Sequence, residues 1–119
     1  MEPSAPDLSK QARGRWGEGR ACAVYRRLGY EILDRNWRCR DGEIDIVARR
    51  GDTVVFCEVK ARRSSGFGGA AAAVDHRKQL RIRRLAAMWL ADSQVRGVEV
   101  RFDVLAITGV AVELIEGAF

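Results

Sequence analysis

Between Gly42 and Arg63 the chain reads GEIDIVARRGDTVVFCEVKARR, and this stretch constrains the fold more than any other. Strict alternation places Glu43, Asp45 and Val47 on one face of a strand and Ile44, Ile46 and Ala48 on the other. Val54, Phe56, Glu58 and Lys60 share a face of a second strand. Gly51-Asp52 between them suits a two-residue hairpin turn with glycine at the first central position. That turn sets the register, and the register sets Asp45 directly opposite Glu58. Cβ atoms of directly opposed residues lie roughly 4.5–5.5 Å apart. Two carboxylates at that distance repel unless a proton or a cation lies between them. The simplest resolution is a divalent metal.

A chain of 119 residues, 47% of them hydrophobic, is expected to form one folded domain over residues 11–119 behind a loose tail at 1–10. The polar start MEPSAPDLSK has no apolar signal segment, and no apolar run reaches the ~20 residues of a membrane span. No membrane partner is expected. Cys22, Cys39 and Cys57 are an odd set without metal-type spacing, which reads as reduced thiols in a cytoplasmic protein. Alternation turns Cys57 away from Glu58. The net charge of +5 favours a polyanionic partner. Of 21 basic residues all but Lys10, Lys60 and Lys78 are arginine, the side chain suited to bidentate phosphate contacts. Codon bias in a GC-rich genome would give the same excess, so charge only supports the case. A single histidine, His76, rules out a multi-histidine zinc site and leaves at most one route to a serine-type triad. Hydrolysis by this chain would rest on carboxylates, lysine and a bound ion.

The order of elements reads α-β-β-β-α-β-β, an α/β layer arrangement with a central sheet flanked by helices. A helix is expected from about Gln11 to Leu28, with Trp16, Val24 and Leu28 as apolar contacts and Gly29 as its stop. Tyr30 to Cys39 gives a strand, and the hairpin follows. SSGFGG (64–69) reads as a loop. A second helix runs from an Asp75 cap to Asp92, burying Leu85, Met88, Trp89 and alanines. His76, Arg77, Lys78, Arg81 and Arg84 crowd its other side. Val98 to Ile107, a Thr108-Gly109 turn and Val110 to Glu116 complete the sheet.

Asp45, Glu58 and Lys60 together suit metal-assisted phosphodiester hydrolysis. Mg²⁺ (or Mn²⁺) binds through one or two carboxylates plus phosphate oxygens and water. Asp45 and Glu58 are the candidate ligands, with Glu18 on the first helix as a third. Lys60 points the same way and could orient or deprotonate water, or stabilise charge on phosphorus. The register also sets Glu43 opposite Lys60. A surface hairpin carrying a Glu43–Lys60 salt bridge is the competing structural reading. Arg62 and Arg63 could follow a phosphate backbone, and so could Arg77, Lys78, Arg81 and Arg84; a solvated surface explains both groups as well. Lys78 and Gln79 could instead face the cleft. Arg101 and Asp103 read as a structural ion pair, and Trp16, Trp37 and Trp89 as core or near-core residues.

GEIDIVA, FCEVKAR and the later RFDV resemble the bacterial YraN-like family, over roughly Gly14 to Ile107. The resemblance implies the restriction-endonuclease-like fold of the PD-(D/E)xK nucleases, a superfamily that includes type II restriction endonucleases and archaeal Holliday junction resolvases. It implies catalytic and metal-binding roles for Asp45 and Glu58, a catalytic role for Lys60, and a match of Glu18 to the acid on the first helix. The proline that precedes the aspartate in that superfamily is Ile44 here. Together these readings point to a magnesium-dependent nuclease acting on DNA, branched or otherwise structured by analogy. The alternative is a nucleic-acid-binding module that keeps the fold without cleavage. A homodimer is compatible with either.

Overall fold

Gly51, at φ +60, opens a two-residue turn that Arg50 and Thr53 close as a pair, and Asp52 keeps a negative φ as a glycine-first hairpin turn requires. A computed structural model of the chain describes residues 5–62 and 74–119, with side chains for 16–61 and 74–119. The elements are α1 (Ala5–Arg27), β1 (Glu31–Cys39), β2 (Gly42–Arg50), β3 (Thr53–Arg62), α2 (His76–Ser93), β4 (Glu99–Thr108) and β5 (Ala111–Ile115). The expected order is the observed one. The five strands form one mixed sheet in the order β1-β2-β3-β4-β5, antiparallel except for the β3–β4 pair. A parallel pair needs a crossover, and α2 lies in the connection that supplies it. This architecture is consistent with a restriction-endonuclease-like fold.

Each helix covers one face of the sheet. Ala21, Cys22 and Tyr25 of α1 pack with Ile46, Ala48, Val55, Cys57, Leu105 and Ile107. Ile82, Leu85, Ala86 and Trp89 of α2 pack with Val47, Val54, Phe56, Phe102, Val104 and Ala106. Burial on both faces explains why Val54-Val55-Phe56 is apolar without a break. Cys57 points away from Glu58 as alternation requires.

Several local expectations need correction. Helix α1 starts at Ala5, upstream of Gln11, and two of its expected apolar contacts face outward: Trp16 is 47% exposed and Leu28, just past its last residue Arg27, 41%. Gly17, Ala21 and Cys22 on the sheet-facing side are small, and Tyr25 on the same side is fully buried with its hydroxyl donated to Asp103. A Cβ on Gly17 would stand 3.5 Å from Val59. Gly29, at φ +92, does end the helix, with the Tyr30 N–H bonded back to the Tyr25 carbonyl. In α2, Asp75 caps the N-terminus by accepting from the Lys78 N–H at 2.8 Å. Ile82, not Met88, completes the buried stripe, because positions 82, 85, 86 and 89 share one face of a helix. Met88 is 36% exposed. The last turn is Gly109-Val110, one residue later than expected, with Gly109 at φ +61. The 64–69 loop, Arg63 and the first four residues lie outside the described residues.

Candidate active site

The β2–β3 ladder has the expected register but stops at Ile46↔Cys57. Continued one step, it would set Asp45 opposite Glu58; one step further, the Val59 N–H would bond to the Ile44 backbone. The Asp45 carboxylate takes that N–H instead, at 2.8 Å. Beyond this point β2 follows β1, with Trp37↔Ile44 and Arg38↔Glu43 still paired. Ile44 then packs beneath α2 with Val47, which corrects the alternation that grouped it with Ile46. Glu43 forms a 2.9 Å ion pair with Arg38 at the surface. The expected Glu43–Lys60 pairing is therefore absent, because the two strands have already parted where it would form. Splitting a sheet at an aspartate leaves a gap between strands, and the gap is the site.

The gap opens into a cleft of about 330 Å³ lined by Gly42, Glu43, Asp45, Glu58, Lys78, Arg81 and Ile82. Gly42 forms one lip, at φ +141, where a Cβ would stand 3.3 Å from Leu85. Lys78 lines the cleft from α2, as the second sequence reading of it allowed, whereas Gln79 does not line it and donates to the Val74 carbonyl; Arg81 lines the cleft while remaining exposed. Arg77, Arg84 and His76 are exposed. The Lys78 ammonium pairs with the Glu58 carboxylate at 2.6 Å, with side chains 24% and 13% exposed.

Electrostatics single out Asp45. Burial pushes its carboxyl up to about 7, and the nearby Glu58 and then Glu18 push in the same direction, against the Val59 hydrogen bond. Lys60 is displaced downward, first by burial and then by the adjacent Lys78 ammonium. For Lys78 burial acts downward too, but the hydrogen bond and charge of Glu58 outweigh it and the net shift is upward. Asp45, Glu58 and Lys78 thus line one cleft, and Lys60 stands next to Lys78 without lining it; Asp45 and Lys60 are the acid and the base biased toward their neutral forms.

Glu18 sits on α1 near Asp45 and accepts a 2.7 Å hydrogen bond from the Asn36 side-chain amide. Asn36 lies on β1 at the register position of Asp45, in the left-handed conformation (φ 51) that asparagine tolerates better than most residues. Sequence reasoning missed it, although an asparagine inside a strand pattern is itself a signal. Among the described residues no three His, Cys, Asp or Glu side chains converge as a ready metal cage. The donor set does fit one oxygen-preferring cation such as Mg²⁺, which needs only one or two carboxylates. Asp45 and Glu58 are the fitting pair, and Lys78 now neutralises the second of them. The Arg62 side chain and the whole of Arg63 fall outside the description.

Arg101 and Asp103 form the expected structural pair, bonded at 2.8 and 2.9 Å. Trp89 is buried and Trp37 packs against the same cluster, whereas Trp16 stands at the surface with Arg20 over its ring.

Residues 17–107 match the model of the uncharacterised protein family UPF0102. The chain is similar to a UPF0102 protein of Frankia casuarinae, 53% identical over 93% of this chain and 98% of the relative. It is also similar to UPF0102 proteins of Moorella thermoacetica, 46% identical over 94% and 98% of the two chains, and of Syntrophus aciditrophicus, 46% identical over 89% and 87%.

Proposed function

This chain belongs to the family described as uncharacterised protein family UPF0102, and from that premise we propose that it is a metal-dependent nuclease hydrolysing phosphodiester bonds in DNA. The observation that carries the proposal is the strand split. It holds a buried aspartate beside a second carboxylate and Lys78 in a cleft open to a ligand, with Lys60 next to Lys78. The placement in the PD-(D/E)xK superfamily and the preference for branched or structured DNA belong to the same proposal.

Asp45 and Glu58 would hold Mg²⁺ or Mn²⁺, which when bound supplies Lewis-acid activation of water and neutralises charge on the phosphodiester. Lys60, biased toward the neutral amine, would accept the proton of the attacking water. Arg81 and Lys78 put positive charge where the scissile phosphate enters. The Val59 N–H fixes the Asp45 carboxylate from the β3 side. Exposed Arg77 and Arg84 on α2 would carry backbone phosphates outside the cleft. A cytoplasmic location accords with three free thiols at Cys22, Cys39 and Cys57. Among the described residues no helix is long and apolar enough to cross a membrane.

The Lys78–Glu58 pair favours a second reading, a nucleic-acid-binding module in which lysine has taken the place of the metal. One assay separates them. The purified chain is incubated with branched, single-stranded and duplex DNA in Mg²⁺, Mn²⁺ or EDTA. Cleavage that needs metal and falls by about 10³-fold or more in Asp45→Asn and Lys60→Ala is expected of the nuclease. DNA binding without cleavage in any metal would leave only the module.

A further inference from the structure

A metal that enters the cleft meets a Glu58 carboxylate already paired with Lys78 and competes with that ammonium for it. The carboxylate is nearly buried, and the Lys78 Nζ stands 2.6 Å from one of its oxygens. Lys78 is held on the first turn of α2 by the Asp75 cap, so its backbone stays in place while its long side chain can turn. Arg81, one turn further along, lines the same cleft.

We propose that Lys78 is a built-in counter-ion of the metal site. It neutralises Glu58 when no metal is bound and yields the carboxylate when a cation enters, swinging its ammonium to a phosphate of the substrate. The inference rests on the nuclease reading and adds a regulatory property to that site. A cation and an ammonium compete for the same carboxylate, so Lys78 weakens metal binding to the free protein. A phosphate in the cleft offers the displaced ammonium a new anionic partner next to Arg81 and removes that competition. Metal and nucleic acid must then strengthen each other's binding, by the same factor in both directions. The free protein would hold metal poorly, and loading would await substrate.

The test is calorimetric titration of Mn²⁺ into the full chain and into Lys78→Met, Lys78→Gln and Glu58→Gln. Each titration is done with and without a single-stranded oligonucleotide whose phosphorothioate backbone resists hydrolysis. Thermal unfolding confirms that each variant is folded, and the glutamine variant covers the case in which methionine disturbs the cleft. Without oligonucleotide, both Lys78 variants should bind Mn²⁺ on the order of tenfold more tightly than the natural chain. The oligonucleotide should tighten Mn²⁺ binding to the natural chain by a similar factor and do so much less in the Lys78 variants. Unchanged or weaker Mn²⁺ binding in both Lys78 variants overturns the counter-ion, and the nuclease reading survives if Glu58→Gln still loses the metal. No Mn²⁺ binding to any folded form, or binding that ignores Glu58→Gln, overturns the nuclease reading and the counter-ion with it.

Discussion

Two buried aspartates lie on opposite faces of this sheet, and their surroundings are opposites. Asp103 on β4 is fully buried and every direction is answered: Tyr25 Oη donates at 2.7 Å, Arg101 donates twice, and the Gly117 N–H donates at 3.0 Å. The pairing also holds Arg101 firmly in its charged form. Asp45 is buried as well, but among the described residues it has one donor, Val59, and Glu58 and Glu18 lie near it. One acid is an architectural joint linking α1, β4 and the C-terminal segment. The other is held in electrostatic debt that a proton or a cation can settle. Burial of an acid says nothing about function until its partners are counted.

Removing the joint should have the largest effect. Asp103→Ala leaves the Arg101 guanidinium, the Tyr25 hydroxyl and the Gly117 N–H without their acceptor, at a cost of about 3–5 kcal/mol. Urea denaturation should show that loss, whereas Asp45→Asn at pH 8 should leave stability unchanged or raised. If Asp103→Ala unfolds no more easily than the natural chain, the contrast collapses.

The pH dependence comes next. An unfolded Asp45 titrates near 3.9, and in the fold burial and its acid neighbours raise it to about 7. Between those values the folded state binds the extra proton, so stability falls as pH rises from about 4 to about 7 and then levels off. The fall attributable to Asp45 is on the order of 4 kcal/mol. Denaturation at a series of pH values should find this slope reduced in Asp45→Asn, and reduced in the natural chain when Mg²⁺ is present. A profile identical in the natural chain and Asp45→Asn would remove the debt from Asp45.

The smallest effect concerns the surface outside the cleft. Replacing Arg77 and Arg84 by alanine should weaken DNA binding modestly and lower its salt slope by about one unit for each lost phosphate contact. An unchanged slope would show that this side of α2 is merely solvated, and would confine recognition to Lys78 and Arg81.

The local sequence determined much of this protein. The Gly51-Asp52 turn and the two-residue period fix which residues of β2 and β3 pair, and Asp75 fixes where α2 begins. Those features depend on backbone geometry over a few residues, which the chain states directly. Arg101 and Asp103, two residues apart on one strand face, were legible for the same reason. Tertiary structure alone decided that the ladder stops before Asp45, since the Val59 N–H can choose between a backbone carbonyl and a carboxylate. It alone brought Lys78 of α2 to Glu58 of β3 and Asn36 of β1 to Glu18 of α1. It also left Trp16 outside, because α1 approaches the sheet through Gly17 and has no room for an indole there. Charges and contacts far apart in the chain depend on how helices lie on the sheet, and no local period encodes that placement.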